Sequence, residues 1–258
     1  MPALDNQTVF ITGASSGIGE ACARIFARDG ARLLLAARRI DRLRTRAAEL
    51  RDLGAREVHC VELDVRDEQA VSRAVEGLKP PWNEIELLVN NAGLSRGLSP
   101  LHEGELADWE EMIDTNVKGL LYVDRAVTPL MVARGHGTVV HIGSIAGRQV
   151  YPAGNVYCAT KFAVRALTEG LRVDLLGTGV RVTSIDPGMV ETEFSEVRFH
   201  GDRQRAAAVY EGMTPLTAVD VAEIVQFAAS RPAHVDIAEV LVLPTDQASA
   251  TQVHRRRH

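Results

Sequence analysis

An α/β fold, a parallel sheet with helices on both faces, is what this sequence predicts, on three observations. Short apolar, β-rich runs recur along the chain, segments with helical spacing separate them, and no linker or shift in composition divides the chain in two. Strand and helix therefore alternate from end to end. Strands that are apolar almost without interruption fit burial on both faces of a parallel sheet. The 258 residues suit a single α/β domain spanning 1–258.

The elements follow in order. Val9-Phe10-Ile11 reads as the first strand, and Ile18, Cys22, Ile25 and Phe26, at i, i+4, i+7 and i+8, mark the first helix. Gly30 punctuates its end before the strand Leu33-Leu34-Leu35. Arg39 to Asp52 is a charge-laced, solvated helix face closed by Gly54. Val58-His59-Cys60-Val61 and Leu87-Leu88-Val89 are the next strands, and the stretch from Asp108 to Met131 is helical. Val139-Val140-His141-Ile142 is followed by a helix in which Ala163, Leu167, Leu171 and Leu175 repeat every four residues. Val180-Arg181-Val182-Thr183 and Val240-Leu241-Val242-Leu243 complete the strands. Residues 187–205 lack clear periodicity and read as a substrate loop, and 244–258 as a C-terminal tail.

Composition excludes several classes of function. Net charge is −5, so nucleic acid is not an expected partner, and Arg255-Arg256-Arg257 reads as a solvated tail. No apolar stretch reaches the roughly 18 residues of a membrane span, and Met1 to Thr8 hold no basic leader. Cys22, Cys60 and Cys158 are scattered and odd in number, as reduced thiols of a cytoplasmic protein would be. Cys158 reads as packing filler. No histidine has metal-ligand spacing to a second ligand, so no metal is expected. Ser144, in Gly143-Ser144-Ile145-Ala146-Gly147, misses the hydrolase elbow G-x-S-x-G by one position.

The chemistry-bearing residues are spaced for proton transfer beside a nucleotide. Gly13-x-x-x-Gly17-x-Gly19, holding Ser15, Ser16 and Ile18, follows the first strand and opens a helix. Glycines there permit a tight turn and close approach to a pyrophosphate, with the helix N-terminus facing the anion. An NAD site carries an acidic residue at the end of the second strand; here Arg38 and Arg39 stand there, which suits the 2′-phosphate of NADP. Asp41 lies nearby but belongs with the following helix start. Asp64, after the third strand, accepts a bond from an adenine amino group or caps the helix near Asp67. Asn90-Asn91-Ala92-Gly93 ends the fourth strand, where parallel sheets bind ligands; a plain turn is the alternative. Asn116 interrupts a helix, either bending it and holding a water or lying on its surface. Tyr157 and Lys161 are four apart on one helix face, about 6 Å of rise. A lysine that close favours phenolate and makes Tyr157 a candidate acid/base, with Ser144 thirteen residues upstream to hold a carbonyl oxygen.

Together these residues resemble the short-chain dehydrogenase/reductase family, from Thr12 to about Leu243. Pro187-Gly188 and Thr192 after the sixth strand extend the likeness. The resemblance implies a Rossmann-type doubly wound domain with a seven-stranded parallel sheet and the catalytic tetrad Asn116, Ser144, Tyr157 and Lys161. It places Val65 and Asn91 at the adenosine half of the cofactor, and Gly188, Val190 and Thr192 at the nicotinamide end. Gly154-Asn155-Val156, Thr192-Glu193-Phe194-Ser195 with Val197-Arg198-Phe199, and Pro232-Ala233-His234-Val235 look like the NADP-dependent 3-hydroxy acid dehydrogenases. That branch acts on serine, allo-threonine and related 3-hydroxy acids or the matching semialdehydes, typically as a homotetramer.

The expected reaction is hydride transfer between NADP(H) and a carbinol or carbonyl carbon. Ser144 holds the substrate oxygen, Tyr157 moves the proton, Lys161 lowers the Tyr157 pKa and bonds the nicotinamide ribose, and a water on Asn116 links Lys161 to solvent. Arg198 is the candidate partner of a substrate carboxylate, with Arg148 and Arg203 as competing cations. A broad carbonyl or 3-oxoacyl reductase and a non-catalytic NADP-binding regulatory protein are the rival readings.

Overall fold

The computed structural model of the chain describes residues 4–256. Its strands are β1 (Thr8–Thr12), β2 (Arg32–Ala37), β3 (Glu57–Glu62), β4 (Ile85–Asn90), β5 (Gly137–Ile142), β6 (Val180–Pro187), β7 (Val190–Glu191), β8 (Leu216–Thr217) and β9 (Glu239–Val242). Seven of them form one sheet in the order β3-β2-β1-β4-β5-β6-β9, with every neighbouring pair parallel. This is the doubly wound, Rossmann-like α/β fold. β7 and β8 pair only with each other.

The helices are α1 (Gly17–Arg28), α2 (Ile40–Asp52), α3 (Glu68–Glu76), α4 (Leu106–Ile113), α5 (Leu120–Arg134), α6 (Asn155–Asp174), α7 (Phe194–Arg198), α8 (Arg203–Ala208) and α9 (Ala218–Ala229). Alternate residues of β1 show why the strands are apolar throughout. Val9 and Ile11 pack in one core with Cys22, Ile25 and Phe26 of α1 and Val221 and Val225 of α9. Phe10 points the other way, into a core with Val71 and Val75 of α3 and Val123, Val127 and Met131 of α5. Each such apolar side chain contributes about 1.5–3 kcal/mol by leaving water. β3, at the sheet edge, instead exposes Glu57, His59 and Glu62.

Strand order puts the site in place. β1 has β2 on one side and β4 on the other, so the connections after β1 and β4 diverge and open a crevice at the carboxyl edge.

Four details differ from the sequence expectations. The Asp108–Met131 stretch is not one α-helix: a π-helical segment, Asp114–Gly119, joins α4 to α5 and carries Asn116, which is buried rather than on a helix surface. Residues 187–205 are structured, holding β7, α7 and the start of α8, elements too short to show a period. The buried stripe of α6 is Tyr157, Lys161, Val164 and Thr168, while Ala163, Leu167 and Leu171 are half-buried. Arg255 and Arg256 are exposed, as expected of a solvated segment, but fastened rather than loose: Arg255 donates to the carbonyls of Val209 and Glu211, and Arg256 binds Gly212 O and Asp246. Arg257 lies outside the described residues. This returning segment also brings the buried Gln247 to accept a bond from the Met189 amide (2.8 Å), bracing the loop that begins at Gly188.

Candidate active site

A cleft of about 590 Å³ runs along the carboxyl edge of the sheet. At one end the turn after β1 is built by geometry that other residue types could not adopt. Gly13 and Gly17 have φ of +65° and +56°, and a Cβ on Gly19 would lie 2.6 Å from Gly13 O and from Asn91 Nδ2. Asn91 Nδ2 donates to Thr12 O (2.9 Å) and Gly13 O (3.3 Å), so the turn after β4 pins the turn after β1. Thr12 Oγ1 accepts from the Asn91 and Ala92 amides, both at 3.0 Å, and donates to Asn90 Oδ1. The Asn90 amide in turn reaches Asp124, which the fully buried His141 also contacts at 3.0 Å. The N-cap of α1, Ser16, makes no side-chain cap bond, so the first amides of α1 and its dipole face the cleft.

Beside that helix start lies a basic cluster. Arg39 donates to Ser15 Oγ (3.2 Å) and Ser16 Oγ (2.8 Å), and Arg38 lies half exposed, 3.7 Å from Glu111. Arg42, one turn further along α2, joins them on the cleft wall. The sequence reading missed it, although three residues after Arg39 is the spacing of neighbours on a helix face. Asp64 and Val65 also line the cleft. Asp64 is not a helix cap: it binds Arg66, and Asp67 caps α3 through the Ala70 amide (2.9 Å). Asp41 sits in the first turn of α2, as expected of an acidic residue there.

At the other end Ser144, just after β5, meets Tyr157 and Lys161 from α6; Pro187, Gly188, Val190 and Thr192 also line the cleft, Thr192 close to Gly17. Ser144 Oγ accepts from the Ala146 amide (3.0 Å) and lies near enough to the Tyr157 hydroxyl to influence its titration. Burial pushes the Tyr157 phenol above the usual tyrosine range; the Arg198 charge and the nearby Ser144 hydroxyl pull against it. The expectation that Lys161 sets this pKa is corrected here, because Lys161 is itself desolvated. Burial draws its ammonium down to about 8 against the field of Asp186, and Nζ donates to Ile142 O at 2.8 Å.

Asn116 braces this end. Its Oδ1 accepts from the Leu94 amide (2.8 Å), and Nδ2 donates to Leu94 O (2.8 Å) and Thr160 Oγ1 (3.0 Å). The side chain thus ties the chain after β4 to α6, a role the water-holding expectation did not contain. A Cβ at Gly93 would stand 3.3 Å from Asn116 Oδ1 and 3.7 Å from Lys161 Nζ, so glycine keeps that space open.

Arg198 lies on the short helix α7 rather than in a loop. Its guanidinium sits 5.1 Å from the Phe194 ring centroid, 5.2 Å from that of Tyr157 and 5.9 Å from that of Tyr151. Nε donates to Ser95 Oγ (3.0 Å) and Nη2 to Tyr151 Oη (2.9 Å); among the described residues it forms no ion pair. Tyr157 and Phe194, which it covers, line the cleft. The competing cations are engaged elsewhere: Arg148 with Asp186 and Glu239, and the exposed Arg203 with Glu196. Arg96, also unanticipated, lines the cleft and holds α7 by donating to Val197 O (2.6 Å). Among the described residues no group of three or more His, Cys, Asp or Glu side chains is arranged to hold a metal ion.

A glycine cradle at a helix start, a basic cluster beside it and a Ser-Tyr-Lys group at the far end suit a dinucleotide and a proton-coupled reaction. Comparison with known proteins agrees. Residues 7–202 match the short chain dehydrogenase family. The chain is 47% identical over 249 residues to an NADP-dependent 3-hydroxy acid dehydrogenase of Salmonella typhi, covering 96% of this chain and 99% of that one. It is 48% identical over 252 residues to sulfoacetaldehyde reductase 2 of Chromohalobacter salexigens, covering 97% and 99%. A closed form of serine dehydrogenase complexed with NADP+ superposes with a TM-score of 0.91 at 45% identity, covering 97% of this chain and all of that one. The chain belongs to the short chain dehydrogenase family of oxidoreductases.

Proposed function

We propose that the protein transfers a hydride between NADP(H) and the carbinol or carbonyl carbon of a small 3-hydroxy acid such as serine or allo-threonine, or the matching semialdehyde. The observation that carries the substrate class is Arg198, a cation with no ion-pair partner among the described residues, 5.2 Å from the Tyr157 ring centroid. A planar guanidinium suits a carboxylate. The names of the 3-hydroxy acid and serine dehydrogenase relatives support the same class. A sulfonate-bearing aldehyde is a second reading, favoured by the likeness to sulfoacetaldehyde reductase and equally suited to a guanidinium.

The residues present fit NADP. Gly13, Ser15, Ser16, Gly17, Ile18 and Gly19 would cradle the pyrophosphate, Arg38, Arg39 and Arg42 the 2′-phosphate, and Asp64, Val65 and Asn91 the adenosine half. Pro187, Gly188, Val190, Thr192, Tyr157 and Lys161 would hold the nicotinamide half. When bound, the nicotinamide supplies or accepts the hydride. Ser144 Oγ fixes the substrate oxygen, and Tyr157 Oη gives that oxygen a proton in reduction or takes one in oxidation. Asn116 ties the chain after β4 to α6, the helix that carries both Tyr157 and Lys161.

Because burial raises the Tyr157 pKa, the phenol keeps its proton through neutral pH. Oxidation needs the phenolate, so its kcat/KM is expected to climb through the alkaline range. Reduction needs the phenol and is expected to hold through neutral and mildly alkaline pH and to decline only in the strongly alkaline range. Initial rates in both directions from pH 6 to 10 check this; an oxidation rate falling steadily from pH 6 to 9 contradicts the assignment.

Substrate class is tested with purified protein, NADP(H) and a panel of serine, allo-threonine, sulfoacetaldehyde and a neutral alcohol. Arg198→Ala removes a charge that acts on Tyr157 with every substrate, and is expected to weaken kcat/KM for serine by about 1–3 kcal/mol more than for the neutral alcohol, as for loss of a charged hydrogen bond. Equal losses on both remove Arg198 from substrate recognition, and turnover confined to neutral ketones or 3-oxoacyl substrates selects the broad reductase instead. No turnover on any substrate with NADP bound would leave a regulatory binding protein.

The proposal includes a homotetramer in the cytoplasm. Exposed Leu106, Leu121, Phe162 and Leu176 on or next to α4, α5 and α6 support association, and among the described residues no helix is long and apolar enough to cross a membrane.

A further inference from the structure

Glu193 precedes α7 and carries no role in the chemistry above. Its carboxylate reaches across the cleft to the basic cluster. Oε2 accepts from Arg39 Nη1 at 3.0 Å, and Oε1 and Oε2 accept from Arg42 Nη1 at 2.7 and 3.0 Å. These partners lie 154 and 151 positions away in sequence. Although burial alone would raise it, the bonds from Arg42 and Arg39 hold the Glu193 carboxyl below the usual range, so the group is an anion. Arg39 simultaneously holds the Ser15 and Ser16 hydroxyls. A carboxylate clasped by two guanidiniums beside two hydroxyls reproduces the recognition chemistry of a phosphate. Two anions cannot share those donors without repulsion.

We propose that Glu193 is a specificity-determining residue: an internal stand-in for the cofactor's 2′-phosphate that competes with it for Arg39 and Arg42. This rests on the reading of that cluster as the 2′-phosphate site. Glu193 immediately precedes Phe194 and the helix that ends in Arg198, so the same competition couples the presence of the phosphate to α7. NADP displaces Glu193 and frees the start of α7. A cofactor without the phosphate leaves it fastened.

Calorimetric titration of the full chain with NADP, NAD, adenosine 2′-monophosphate and adenosine 5′-monophosphate tests the idea. Both ion pairs are roughly two-fifths exposed, so each is weak and their loss moves affinity modestly. E193Q is expected to bind NADP and the 2′-monophosphate roughly threefold to tenfold more tightly, with NAD and the 5′-monophosphate within about twofold of wild type. E196Q, which removes another cleft-lining carboxylate, is expected to change none of the four. In an R42Q background the gain from E193Q should shrink. NADP binding that is unchanged or weaker in E193Q, or NAD binding that tightens equally, overturns the inference while leaving the cofactor site intact. A wild-type protein that binds NAD as tightly as NADP overturns the cofactor reading and this inference with it.

Discussion

Tyr157→Phe is expected to lower kcat by at least about 10²-fold, the scale of one lost proton-transfer group, while leaving NADPH binding within about twofold. The substitution removes one oxygen from a buried side chain. The ring keeps its edge-on contact with Phe194, at 5.6 Å between centroids, and its place under the Arg198 guanidinium. Lys161 keeps its bond to Ile142 O, and Ser144 keeps the Ala146 amide. What disappears is the hydroxyl that Ser144 meets and that titrates. Absorbance assays give kcat, and fluorescence titration gives the NADPH affinity. Residual turnover above a tenth of wild type would refute Tyr157 as the acid/base. Loss of NADPH binding in parallel would place its role in holding the cofactor.

Arg39→Asp is expected to lower kcat/KM with NADP by about 10²-fold and to narrow or invert the preference over NAD. A hydrogen bond to a charged group is worth about 1.5–3 kcal/mol, and the new carboxylate adds repulsion. Arg39 is the better organised of the two arginines at the end of β2, because Ser15 and Ser16 fix its guanidinium against the helix start. Arg38 is half exposed, with a single 3.7 Å ion pair to Glu111. Arg38→Asp should therefore shift the preference in the same direction but less. Steady-state kinetics with both cofactors reads the effect. Equal catalytic efficiency with NADP and NAD in the unmutated enzyme would sink the assignment.

The difference between those two arginines shows the limit of reading along the chain. Arg38 and Arg39 are equivalent as residues after a strand, and both stand where an acidic residue would otherwise take a ribose hydroxyl. Only the packed structure turns one toward Ser15 and Ser16 and brings Arg42 beside it. Asn116 makes the same point. A polar residue inside a helix signals an exception, but its partners at Leu94 and Thr160 lie 22 and 44 positions away. The aromatic surround of Arg198 draws on Tyr151, Tyr157 and Phe194, which share no motif.

The seven strands of the main sheet, the alternation that makes them parallel, the glycine turn after β1 and the Tyr157-Lys161 face of α6 are all legible along the chain. Each is a local or periodic property: strand runs bounded by turns, helical spacing, or a backbone conformation that glycine adopts at low cost. Long-range packing sets the π-helical segment at Asn116, the return of the C-terminal segment to brace the Met189 amide, and the clasp of Glu193 by Arg39 and Arg42. Packing likewise sets the proton affinities of Tyr157 and Lys161. Spacing of four residues predicts that Lys161 governs Tyr157, yet burial of both groups dominates, raising the phenol and lowering the ammonium to about 8. Desolvation depends on what packs around a group from every direction, and the sheet order brings those neighbours from distant parts of the chain.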